Sequence, residues 1–356
     1  MGGAEELAIQ CLRANRWSVQ LGVRRLIAVV LVVAAAYVQP ANPQQANSQP
    51  ANPQLPRKEA VRVGEFYRLT AQIAGEVWPQ WDRTPAPLLL VTGQTEFLFH
   101  YANPPADFKK AGDDLYARPR QFPTGLLATF PAFGSLSVIV IGEAENTDAK
   151  TSTPWIITVM HEHFHQLQDS QPSFFEAEKS LGLAHGDNTG MWMLNYPFPY
   201  EQPELARSFA ALRDLLLATL NEPDENKFRS SAEQYRAQRK KFFAQLSDGD
   251  RKYLSFQLWK EGIARYVQVK CAEAAAHYRP TQEYAALADY ESFESYSKRA
   301  RSETLNELKQ ADLAKWKRVV VYSFGAGEGF LLDRLNPQWK DGYFQQPFTL
   351  DPYFNP

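Results

Sequence analysis

Hydrophobic positions change their spacing along this chain. A first helix is predicted from about Lys58 to Trp81, where Val61, Val63, Phe66, Leu69, Ile73 and Val77 recur mostly three or four apart. Short extended segments follow at residues 87–91, 96–100 and 137–142, the last reading Ser-Val-Ile-Val-Ile-Gly. From Glu201 onward the spacing is helical almost throughout. Leu205, Phe209, Leu212, Leu215, Leu216 and Leu220 form one stripe, and residues 253–269, 303–317 and 322–335 continue the repeat. Strands first and helices afterwards predict an α+β fold, with a small N-terminal sheet beside a mainly helical lobe.

Between these two regions, Ile156, Met160, Phe164 and Leu167 fall at spacings of four, four and three, which predicts a helix rather than a strand. Thr153 and Pro154 suit its N-cap and first position. Gln166, Gln168 and Asp169 close it in polar residues. The helix contains His161-Glu162-His163-Phe164-His165, an HExxH pattern that holds three of the chain's six histidines. Residues four apart share a helix face, so His161 and His165 can offer two imidazole nitrogens to one metal ion. Glu162 then sits beside that ion, placed to take a proton from water. His163 points to another side and reads as a buried, supporting histidine. His100, His185 and His277 are isolated in sequence and read as surface or hydrogen-bonded residues.

A catalytic zinc carries three protein ligands and one open position. Gln166-Leu167-Gln168-Asp169 after the motif lacks the Gly and His of the metzincin continuation, which excludes that class. A Glu on a later helix is the other common solution, and Glu261, followed by Gly262, Ile263 and Ala264, is the best candidate. Glu176 and Glu178 are nearer in sequence but lack that neighbourhood.

With these motifs the chain resembles the gluzincins, HExxH zinc metallopeptidases whose third ligand is a Glu, commonly in an E-G-x-A context. The resemblance covers the two motifs and their order. It implies His161, His165 and Glu261 as ligands of Zn2+ and Glu162 as general base. Gluzincins of the thermolysin and aminopeptidase types place the third Glu about one helical hairpin after HExxH, near Ala184 here, so Glu261 requires inserted helices. Two further segments echo the aminopeptidase branch. Residues 142–146 partly resemble its G-x-M-E-N segment, with Ala144 in place of Met, and Tyr322-Ser323-Phe324-Gly325 resembles the Y-x-x-G segment whose Tyr meets the oxyanion. Tyr266 is a second tyrosine candidate, but at five residues past Glu261 it is offset by about 140° on its helix and should point away. Tyr322 has no such constraint if residues 319–321 run as a short extended piece.

The first 57 residues differ in character from the rest. Arg24 and Arg25 precede an apolar run over residues 26–38, too short for a relaxed transmembrane helix and suited to a signal-peptide core. Ala34-Ala35-Ala36 offers a cleavage pattern; left uncleaved, residues 1–38 would act as an N-terminal anchor, the one route to a membrane. Residues 39–57 repeat Gln-Pro-Ala-Asn-Pro-Gln and predict an extended tether, with the catalytic domain over residues 58–356. A net charge of −2 and the lack of a basic cluster in the folded part argue against nucleic acid or an anionic surface as the main partner. Cys11 and Cys271 are the two cysteines, and Cys271 reads as a small buried residue.

These readings predict an exported, secreted or periplasmic, zinc-dependent metallopeptidase acting on a peptide or protein substrate, with its zinc cleft between sheet and helices. The aromatic stretch over residues 192–200 falls between the zinc motifs and suits either a cleft lining or a filler between lobes. The alternative is a noncatalytic zinc-site protein that binds peptides or cell-wall fragments, and Glu162, which a binding module does not need, discriminates between the two.

Overall fold

The computed structural model describes residues 53–187 and 189–354. The expected signal or anchor segment, residues 1–38, and most of the expected tether lie outside the described residues. Helix α1 (Arg57–Val77) stops short of the predicted boundary because Trp78 precedes Pro79, which disfavours helical backbone; Trp78 is extended at φ −143° and ψ 135°. Trp81 instead opens a short 3-10 turn, Trp81–Arg83, and donates from its indole to the His163 carbonyl.

Six strands form one sheet: β1 (Leu88–Val91), β2 (Thr95–Phe99), β3 (Lys109–Gly112), β4 (Leu115–Pro119), β5 (Leu127–Phe130) and β6 (Val138–Gly142), in the order β3-β4-β2-β1-β6-β5. The pair β1–β6 is parallel and the others are antiparallel. Hydrophobic runs predicted β1, β2 and β6, whereas β3, β4 and β5 escaped the pattern; β3 is a polar edge strand of Lys109, Lys110, Ala111 and Gly112. Side chains alternate between the two faces. Leu88, Leu90, Phe97, Leu127, Ile139 and Ile141 join the main core, and Leu89, Val91, Leu98, Ala128, Val138 and Val140 form a second one. Burial on both faces explains the unbroken apolar runs of β1 and β6.

Helix α2 (Ser152–Asp169) carries the HExxH motif and is buried on every side, not along one stripe, since Trp155, Ile157 and Val159 are as enclosed as Ile156 and Met160. Its N-terminus differs from expectation. Thr151 occupies the cap position without a side-chain hydrogen bond, and the cap comes from far along the chain. Asp289 accepts from the Ser152 N–H at 3.0 Å and from its hydroxyl at 2.9 Å. Thr153 is spent elsewhere, donating to the Glu291 carbonyl at 2.5 Å.

Beyond α3 (Phe174–Ser180), helices α4 (Pro203–Leu220) and α5 (Glu225–Phe243) pack against each other, then α6 (Asp248–Gln257) leads into a π-helical turn, Leu258–Gly262, and on into α7 (Ile263–Ala274). These inserted helices account for the sequence distance between His165 and Glu261. Helix α8 (Phe293–Gln310) ends before the predicted 303–317 helix does: Ala311 turns extended and Asp312 caps a separate turn, Leu313–Trp316. Helix α9 (Val320–Leu335) replaces the extended piece expected at residues 319–321. The fold is α+β as predicted, a six-stranded sheet joined to a mostly helical region.

Candidate metal centre

His161 and His165 lie one turn apart on α2, their rings edge to face at 83° with centroids 4.9 Å from each other. The π-turn aims Glu261 at both. Its Oε2 lies 3.4 Å from His165 Nε2 and 3.8 Å from His161 Nε2, and one ligand atom from each residue falls within 4.8 Å of the others. Donor atoms about 2.0–2.2 Å from a zinc ion at tetrahedral angles stand roughly 3.3–3.6 Å apart. The His165–Glu261 separation falls in that range, and the His161–Glu261 separation and the 4.8 Å span of the set lie above it. Its donor atoms are also unpartnered: His161 Nδ1 and Nε2, His165 Nε2 and Glu261 Oε2, like the adjacent Glu162 Oε1, are buried without a hydrogen-bond partner. Several orphaned polar atoms converging in one core cost free energy unless an ion satisfies them. Burial raises the Glu261 carboxyl, but His165, His161 and Arg318 outweigh it and hold the group well below the usual carboxylate range. Burial also keeps His161 neutral, its pKa lowered, which suits a ligand.

The turn that carries Glu261 is pinned to the end of α2. Gln168 donates to the carbonyls of Trp259 at 3.2 Å and Lys260 at 3.1 Å, and the Lys260 ammonium pairs with Asp169. On its other side Gln168 accepts from His165 Nδ1 at 2.6 Å. His163 faces away from the triad, bonded to Gln166 Oε1 at 2.9 Å and packed beside Trp81, where burial pushes its pKa down to about 4.

Glu162 is joined to the sheet. Thr129 on β5 shares a sheet face with Leu127 and so looks at α2; its hydroxyl donates to Glu162 Oε2 at 2.7 Å. Burial raises the Glu162 carboxyl to about 7. Tyr322 stands beside His161 with ring centroids 6.4 Å apart, and its phenol oxygen accepts from Arg318 Nη2 at 2.9 Å. Arg318 also reaches Gln257 Oε1 at 3.1 Å and lies 3.9 Å from Glu261 Oε1. Tyr266 turns away and donates to Asp333 at 2.8 Å.

Neither Glu176 nor Glu178 joins the triad; both lie on α3. Residues 142–146 do not reach it either. Glu145 pairs with Arg62 and Lys58 near the first turn of α2, while His161 lies about 14 Å further along that helix at 1.5 Å per residue. The expected open cleft is not seen. His161, Glu162, His165, Glu261 and Tyr322 are each at most 4 % exposed. The aromatic stretch fills the space between sheet and helices: Met193 accepts through its carbonyl from Tyr253 and Gln257, Tyr196 stacks on Tyr253, and Leu194 packs on the second face of the sheet. A cavity of about 720 Å³ lies elsewhere, between the start of α2, α7 and α8, bordered by Pro154, Arg265, Tyr296, Glu307 and Trp316.

Thr129, Gln168, Gln257 and Arg318 were not singled out from sequence as parts of the site. Gln168 carried a usable signal, since it follows His165 by three residues and shares its helix face. Comparisons of the chain with protein-family models, with curated proteins and with solved structures give no match.

Proposed function

We propose that this chain is a zinc-dependent peptide hydrolase of the gluzincin type, with His161, His165 and Glu261 as metal ligands. The observation that carries the reading is the convergence of three buried, unpartnered donor atoms within 4.8 Å, beside a carboxylate that is not one of them. Zinc bound there supplies an acidified water and a Lewis acid for a carbonyl oxygen. The chain's own residues do the rest. Glu162, anchored through Oε2 by Thr129, keeps Oε1 without a protein partner and is placed to take the proton of the attacking water and return it to the leaving amine. Tyr322, held by Arg318 on the His161 side, is the candidate donor to the developing oxyanion.

A peptide substrate is supported by β5. Among the described residues this strand pairs on one side only, with β6, and it carries Thr129; an edge of this kind can accept an extended peptide as an additional strand. The second reading is a noncatalytic zinc site, which the closure of all five side chains from solvent favours and the position of Glu162 opposes. Digestion of a peptide library by the zinc-loaded protein, with Glu162→Gln as the control, separates the two. Cleavage absent from both proteins would leave the noncatalytic reading.

Export belongs to the same proposal and rests on the apolar run at residues 26–38. A reporter fused to residues 1–60 should be translocated; one that stays inside the cytoplasm would contradict export. No helix among the described residues is long and apolar enough to cross a membrane.

A further inference from the structure

Gln168 makes hydrogen bonds to two of the three proposed ligand segments, and the chemistry of its amide determines what each bond does. An amide nitrogen only donates and an amide oxygen only accepts. The nitrogen of Gln168 faces the Trp259 carbonyl, the Lys260 carbonyl and the Tyr343 hydroxyl at 2.8 Å. Tyr343 gives its own proton to the Trp259 carbonyl, so its oxygen must accept from Gln168. Turning the amide over would set Oε1 against two carbonyl oxygens, which fixes the orientation. Oε1 is then the atom that faces His165 Nδ1, and the ring must carry its proton there. In the neutral ring the lone pair of His165 is then left on Nε2, the nitrogen that lies 3.4 Å from Glu261 Oε2 and has no hydrogen-bond partner. The other arm of the same amide grips the π-turn that carries Glu261.

We infer that Gln168 is the positioning residue of the centre: one buried amide sets the tautomer of His165 and holds the Glu261 turn in register with it. His161 has no comparable device, since neither of its ring nitrogens has a hydrogen-bond partner. The inference rests on the reading of His161, His165 and Glu261 as metal ligands, because partners behind a ligating histidine typically change metal affinity by about 10–100-fold.

Two measurements on the full chain test it. Zinc affinity, read by competition with a chromophoric chelator on protein shown to be folded by circular dichroism, should fall about 10–100-fold in Gln168→Met. Imidazole 15N shifts of the metal-free protein, assigned with His163 and His165 variants, should show His165 as the Nδ1–H tautomer in the wild type. That signature should be lost in Gln168→Met, which offers no acceptor. Wild-type affinity in a folded Gln168→Met, or an Nε2–H tautomer in the wild type, would overturn the inference. A wild type that binds no zinc would instead remove the reading of the centre, and the tautomer measurement, made without metal, would still judge the role of Gln168.

Discussion

Gly262 and Gly325 meet backbone against backbone. A Cβ on Gly262 would stand 2.7 Å from the Cα of Gly325, and one on Gly325 would stand 2.5 Å from the Cα of Gly262. No side chain fits between them, so the π-turn and α9 approach more closely than ordinary helices do. Glu261 is the residue before one glycine and Tyr322 lies one turn before the other. The contact therefore brings the proposed third ligand and the candidate oxyanion donor to the same place.

Gly262→Ala and Gly325→Ala should each destabilise the protein by about 1–3 kcal/mol through overpacking, and lower zinc affinity as the π-turn shifts. Gly64 on α1 is the control, because a Cβ there meets nothing within 4 Å. Gly64→Ala should instead stabilise by about 0.5–1 kcal/mol. Urea denaturation of the three variants checks the contrast; equal effects would mean that the glycine contact does not constrain the fold.

Asp289 caps α2 and also pairs with Arg62, a fully buried guanidinium shared with Glu59 and Glu145. Asp289→Ala removes a helix cap worth about 1 kcal/mol and takes one partner from a buried charge, so stability should fall by about 2 kcal/mol or more. The cap lies at the far end of the helix from His165, and zinc affinity of the folded variant should stay close to wild type. A stable variant with lost zinc would reverse this assignment.

Glu162→Gln removes the proposed proton acceptor and spares the proposed ligands. Zinc should remain bound while hydrolysis drops by at least roughly a hundredfold. Thr129→Val, which deletes the hydroxyl that holds Glu162 Oε2, should lower turnover by about tenfold, consistent with the loss of one hydrogen bond to a charged group. Full activity in a zinc-loaded Glu162→Gln would eliminate the proposed general base.

Tyr322→Phe should reduce turnover by about one to three orders of magnitude with zinc content unchanged, as for the loss of one oxyanion donor. Tyr266→Phe loses its bond to Asp333 and should cost about 1–2 kcal/mol of stability while leaving turnover nearly intact. Steady-state kinetics beside thermal melts distinguish the two. A Tyr322→Phe that destabilises the fold without a specific rate effect would make Tyr322 a packing residue.

What was readable in the sequence follows from the range of each interaction. His161 and His165 are related by one helical turn, and Glu261 by the small neighbours Gly262 and Ala264, so both motifs showed themselves locally. The β-strands β1, β2 and β6 were visible because they are apolar, and β3 was not because it is a polar edge. Thr129 reaches Glu162 only through the register of β5, and Asp289 reaches Ser152 only through a loop far along the chain. The burial of α2 on every side was hidden for a related reason: a stripe of Ile156, Met160, Phe164 and Leu167 says which face is most apolar, and it leaves open that the sheet, α1 and α7 enclose the remaining faces.

Metal content is the most direct test of the central claim. The purified protein should carry about one zinc per chain, Glu261→Gln should lose most of it, and Glu178→Gln, altered on a neighbouring helix outside the triad, should keep it. Elemental analysis of the three proteins gives the answer. Full zinc in Glu261→Gln, or loss of zinc in Glu178→Gln alone, would contradict the His161, His165 and Glu261 centre.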